Sequence, residues 1–252
     1  MLPTFLDDED GTIVKVQIHG YTQISTELIS QITDTLDRAE DVGSTRIIVV
    51  QVTGAAESSS IDDWPGQIST GLVNKWERLL RRAERASPIL IVVAQQVCSP
   101  LALELLLVAD CRLCTDDFVV EKKFSNGSIW PSMATYRLSR QIGETRARKL
   151  LMDESNIGAF KAQEMDLIDK VFEASTDMSA HLAHFLERAP LNDFAVRRRL
   201  MQDSLSTTYE EALGAHLAAC DRALRRAQTK NNVSNDTQNA PQTAHIEPPP
   251  GF

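Results

Sequence analysis

The sequence predicts an α/β fold in which parallel strands are covered by helices, and three observations predict it. Residues 12–18, 46–53 and 89–94 form short β-branched runs. In Ile47-Ile48-Val49-Val50 the apolar residues are consecutive rather than alternating, which is how strands buried on both faces read. A helical pattern follows each run, and repeated strand and helix units in this order define the class.

Between the first two runs, Ser25 supplies an N-cap for a helix to about Glu40, with Leu28, Ile29, Ile32 and Leu36 on one stripe. A second helix is expected over 72–86, polar on one side and apolar on the other. A third starts at Pro100, whose missing N–H suits a first helical turn. After Asp110 the pattern gives two short strands, helices near 132–142, 145–152 and 160–165, and a strand over 168–172. From Asp177 the chain reads as helical, ending near Arg226 with the run 209–225. The expected organisation is an α/β core over 1–175, a helical region over 176–227, and a disordered Asn-, Thr-, Gln- and Pro-containing tail over 228–252.

Composition bounds the function. With 252 residues, 42% hydrophobic and 24% charged, the chain can bury a substantial core. A net charge of −9 and the lack of a long basic tract argue against nucleic acid as a partner. Arg197, Arg198 and Arg199 read as a solvated helix face or as the rim of an anion pocket. Cys111 and Cys114 flank Arg112-Leu113 on one strand and should point to opposite faces, against a shared metal or a disulfide. The N-terminus lacks the order of a signal peptide, and no apolar run approaches the roughly 18 residues of a membrane span. A cytoplasmic protein with reduced thiols, away from the membrane, is expected.

One carboxylate stands out. Glu104 interrupts the apolar run Leu101-Ala102-Leu103 and Leu105-Leu106-Leu107-Val108. Buried carboxylates are rare unless paired, and burial raises their pKa toward the range of proton exchange. Glu104 is therefore either an acid/base or half of a buried ion pair with Arg137 or Arg140. His181 and His184 lie three apart with no third ligand placed nearby, so no metal site is expected. Ser99 lacks the GxSxG context of a nucleophile. Trp64, Phe124 and Trp130 are candidates for an aromatic substrate pocket, and Trp76 reads as core.

The stretch Ile91-Val92-Val93-Ala94-Gln95-Gln96-Val97-Cys98-Ser99-Pro100-Leu101-Ala102-Leu103-Glu104-Leu105, with Ala109-Asp110-Cys111-Arg112, resembles the strand, tight turn and buried helix of the enoyl-CoA hydratase/isomerase (crotonase) superfamily. Trp130-Pro131 to Leu138, 143–151 and 162–171 resemble its proline turn and later helices. The resemblance implies a crotonase-like spiral of repeated ββα units with a C-terminal helical region. Asp63-Trp64-Pro65-Gly66, Val73-Asn74-Lys75-Trp76-Glu77-Arg78 and Met133-Ala134 with Tyr136-Arg137-Leu138 are similar to the hydratase-like accessory enzymes of dihydroxyphenylglycine biosynthesis.

That resemblance implies Glu104 as the catalytic acid/base and a thioester oxygen held by backbone amides of Leu101 and of Ile61 or Asp62. It implies an acyl-CoA or polyketide thioester substrate in secondary metabolism, such as antibiotic biosynthesis, with coenzyme A as carrier and no covalently bound cofactor. It further implies a homo-oligomer, trimer or hexamer, and a type III polyketide synthase as partner, which a catalytically degenerate member would stabilise or stimulate. Three departures bear on this. Ungapped counting puts Phe124 where a hydratase has its second carboxylate, and Glu121 replaces it only in another strand register. Leu101 and Ser58-Ser59-Ser60-Ile61-Asp62-Asp63 stand where the family has small residues. His19-Gly20-Tyr21-Thr22-Gln23 departs from the family's coenzyme A-contacting segment, while Lys122 and Lys123 offer phosphate contacts or a solvated strand end.

Overall fold

Parallel pairing organises the chain, as the apolar runs require. The computed structural model describes residues 4–7, 12–41, 46–55, 68–121, 131–153, 155–175 and 194–238, with backbone alone at 4–7 and 230–238. Five strands, β2 (Ile13–His19), β3 (Ile47–Thr53), β4 (Ile89–Gln95), β6 (Cys111–Thr115) and β9 (Lys170–Phe172), pair in parallel in that order. β1 (Thr4–Asp7) adds antiparallel to β2 at the edge. A second sheet joins β5 (Val97–Cys98), β7 (Val119–Val120) and β8 (Ile157–Gly158). The strand pairs β4–β5 and β6–β7 each pass from the first sheet to the second, and α3 (Pro100–Leu106) follows the first pair. This is the expected ββα repeat.

The faces of the main sheet differ because side chains alternate along each strand. Val16, Ile18, Val50, Val52, Val92 and Ala94 share one core with Leu28, Ile32 and Leu36 of α1 (Thr26–Asp41), with Trp76 and Leu80 of α2 (Thr70–Ala83), and with Leu105 of α3. Ile47, Val49, Ile89, Ile91, Val93 and Leu113 form the other core, with Phe172 and Phe194 against it. Each fully buried side chain of this kind contributes about 1.5–3 kcal/mol. Cys111 joins the second core and Cys114 the first, as expected for residues three apart on a strand. The Ser25 hydroxyl accepts from the Leu28 N–H at 3.1 Å, the N-cap anticipated for α1.

Three further helices follow: α4 (Ala134–Gln141), α5 (Glu144–Met152) and α6 (Ala159–Glu164). The chain divides into Met1–Ala195 and Val196–Phe252. The second unit holds most of α7 (Phe194–Ser204) and all of α8 (Tyr209–Gln238). α8 corrects the expectation that helix ends near Arg226 and disorder begins at Gln228, because its backbone stays helical to Gln238. Residues 227–238 lack Gly and Pro, so nothing in them breaks the hydrogen-bond ladder. Arg198 corrects the solvated reading of the arginine cluster, being 5% exposed, while Arg197 and Arg199 face water. No helix among the described residues is long and apolar enough to cross a membrane.

Candidate active site

The carboxyl ends of β2, β3 and β4 close on one another through backbone contacts. The Gly20 N–H donates to Thr53 O at 2.8 Å, and the Gly54 N–H to Gln95 O at 2.9 Å. A Cβ on Gly54 would lie 2.0 Å from Val97 O, so only glycine fits there. Gln96 turns the chain from β4 into β5 at φ 60°, a left-handed position. The Ser99 N–H then donates to Gly20 O at 3.0 Å, and α3 leaves this junction with Pro100 in its first turn. Leu101, the expected amide donor, sits in that first turn, where an N–H meets no intrahelical carbonyl.

Glu104 follows one turn later and is 2% exposed. The Trp76 indole N–H donates to its Oε2 at 2.6 Å. Its Oε1 is buried and makes no hydrogen bond among the described residues. Burial pushes this carboxyl above the ordinary range; the Ser132 hydroxyl and Trp76 N–H oppose the shift, and Glu77 adds to it. Ser132 is close without closing a bond to Oε1, and its own oxygen accepts from the Ala134 N–H at 3.1 Å.

Of the two readings of Glu104, the ion pair with Arg137 or Arg140 does not form among the described residues. Arg137 binds Glu77 and Glu84 of the α2 region instead, at 2.9 Å each, and Arg140 lies over the Tyr136 ring at 5.4 Å. Two carboxylates outcompete one for the fork of a guanidinium, because together they engage its separate donors. Glu104 is thereby left to a neutral donor. Trp76, read from sequence as core, is that donor while being 0% exposed. Its amphipathic helix gave no sign of the contact, since the partner lies 28 residues away.

Glu121 is half-buried beside the same junction. Its N–H donates to Cys98 O at 2.8 Å, and its Oε2 accepts from the Tyr21 hydroxyl at 3.0 Å. Burial pushes the Cys98 thiol up to about 12, which removes it as a nucleophile. Ile61, Asp62, Trp64, Lys122, Lys123, Phe124, Trp130, His181 and His184 lie outside the described residues. No group of three metal-ligating side chains occurs among the described ones.

The family described as enoyl-CoA hydratase/isomerase matches residues 9–240. The chain belongs to that family. An enoyl-CoA hydratase of Amycolatopsis orientalis is 36% identical over 220 residues, covering 87% of this chain and 99% of the relative. Among solved structures, an enoyl-CoA hydratase of Mycobacterium smegmatis superposes with a TM-score of 0.79 at 15% identity, covering 98% of this chain and 100% of its own. One from Thermoplasma volcanium gives 0.73 at 18% identity, covering 93% and 97%. These likenesses establish the enoyl-CoA hydratase/isomerase fold.

Proposed function

We propose that the chain is an enoyl-CoA hydratase/isomerase-like enzyme that moves a proton on an acyl thioester, with Glu104 as its acid/base. The observation that carries this is Glu104 itself, a buried carboxylate with one oxygen on a neutral donor and the other without a hydrogen bond among the described residues. A carboxyl with a raised proton affinity suits removal of a proton next to a thioester. The electron pair passes to the thioester oxygen, and the amides of Leu101 and of Ile61 or Asp62 hold that charge. Glu104 then returns the proton, either to another carbon or to a departing β-hydroxyl as water. A single carboxylate serves both steps, so tautomerisation or dehydration fits the replacement of the second carboxylate by Phe124.

The substrate we favour is a polyketide thioester carried on coenzyme A in bacterial secondary metabolism, giving a dihydroxyphenylacetyl thioester. The resemblance of Asp63-Trp64-Pro65-Gly66 and Val73-Asn74-Lys75-Trp76-Glu77-Arg78 to the accessory enzymes of dihydroxyphenylglycine biosynthesis supports this setting. Exposed Tyr209, Leu213, Leu217 and Leu224 on α8 support self-association as a trimer or hexamer. The test begins with thermal melting with coenzyme A, malonyl and aryl-acetyl thioesters, since a ligand that binds the folded state raises its stability. Turnover of the thioester that shifts the melt should then fall about 10²–10⁴-fold in Glu104→Gln. Unchanged pathway output in that variant would instead support a degenerate crotonase-fold partner of a type III polyketide synthase.

A further inference from the structure

Helix α4 reaches both elements that build the Glu104 contact. Arg137 and Gln141 are four apart, so they share one face of α4. Arg137 grips Glu77 of α2 and Glu84, seven residues on at the C-cap of that helix. Gln141 donates from Nε2 to Leu107 O, the end of α3, at 2.6 Å. One helix therefore fixes the separation of α2 and α3, whose Trp76 and Glu104 meet at 2.6 Å. Both side chains are almost wholly buried, Trp76 at 0% and Glu104 at 2%, so neither can swing to water for another partner.

We propose that Trp76 is a positioning residue for Glu104: its indole N–H holds Oε2 and leaves Oε1, which makes no hydrogen bond among the described residues, to exchange a proton with substrate. This rests on the proposed acid/base role of Glu104 and deepens it. A carboxylate can rotate about its last torsion and present either oxygen, and a strong donor on one oxygen removes that freedom. Because the donor is neutral and Arg137 is engaged by Glu77 and Glu84, the carboxylate is oriented without the full compensation of a cation. The charged groups around it are Glu77 and Glu84 on the α2 side and Arg137 on α4, with the Ser132 hydroxyl at the start of α4.

The first test needs no turnover. The chain has three tryptophans, so its indole ¹H–¹⁵N spectrum holds three side-chain resonances. Loss of one peak in Trp76→Phe assigns Trp76, and Trp64→Phe with Trp130→Phe assigns it by elimination should that variant not fold. The Trp76 indole resonance is expected to titrate with pH in the native protein and to lose that titration in Glu104→Gln. An indole that does not respond to pH overturns the proposal.

The second test is kinetic. Trp76→Phe should lower kcat about 10- to 100-fold with KM nearly unchanged, the loss expected of one charge-assisted hydrogen bond. It should also move the Glu104 limb of the pH profile to higher pH, because a donor to the charged form is lost. Glu77→Gln should move the same limb to lower pH, because a neighbouring negative charge is lost. A limb fixed in both variants overturns the positioning role. Should the native protein turn over no thioester, the proposed reaction fails, and the indole titration still decides the contact.

Discussion

Two groups of carboxylates, Glu77 and Glu84 of the α2 region and Glu104 of α3, are stabilised in different ways. Glu77 and Glu84 share the guanidinium of Arg137, each at 2.9 Å, while Glu104 has neutral groups beside it, the indole of Trp76 at 2.6 Å and the Ser132 hydroxyl. The first arrangement pairs charges and ties α2 to α4. The second leaves a buried carboxyl with no cation bonded to it among the described residues, which costs stability unless the group takes up a proton. Glu77 and Glu84 are thus held by a shared cation, whereas Glu104 is oriented by a neutral donor.

The largest way to break this contrast is to remove the shared cation. Arg137→Ala leaves Glu77 and Glu84 without it, and stability should fall by about 3–5 kcal/mol, read from the urea midpoint. A cost near that of a surface pair would show that the bridge contributes little.

A smaller effect sharpens the Glu104 side. The raised Glu104 carboxyl means that the folded state holds its proton more tightly than the unfolded state. Stability from this group is therefore present below the ordinary carboxylate value and lost as pH rises through the raised one. Glu104→Gln lacks this loss, so melting temperatures from pH 5 to 8 should move in the variant's favour as pH increases. A difference between variant and wild type that is constant with pH would contradict the raised carboxyl.

The smallest effect serves as a baseline. Arg146 meets Asp166 at 2.6 Å with both side chains more than half exposed, 55% and 74%. Arg146→Ala should change stability by no more than about 0.5 kcal/mol, by the same urea measurement.

Much of this arrangement is legible in the sequence where a local pattern dictates it. The consecutive apolar residues of β3 and β4 announce parallel strands, Ser25 announces the start of α1, and Pro100 that of α3. Glu104 shows itself by interrupting an apolar helix. What is hidden depends on contacts between distant segments. Nothing local tells Arg137 to choose Glu77 and Glu84 over Glu104, or Trp76 to turn its N–H toward α3. Gly20 and Gly54 become indispensable only because strand ends converge on Cys98 and Val97. β1 escapes notice because Thr-Phe-Leu-Asp is short and carries little β-branching, and its edge position depends on β2 being there to pair with.

Strand β6 carries one buried thiol into each of the two apolar layers, Cys111 into one and Cys114 into the other, with Arg112 and Leu113 between them. A bulky thiol reagent reaches such groups only when the surrounding structure opens. Followed residue by residue, so that buried Cys98 and exposed Cys220 are told apart, the Cys111 and Cys114 trapping rates therefore clock the opening of the two layers from a single strand. Equal rates would mean that both layers open in one cooperative event, and unequal rates would identify the layer that yields first.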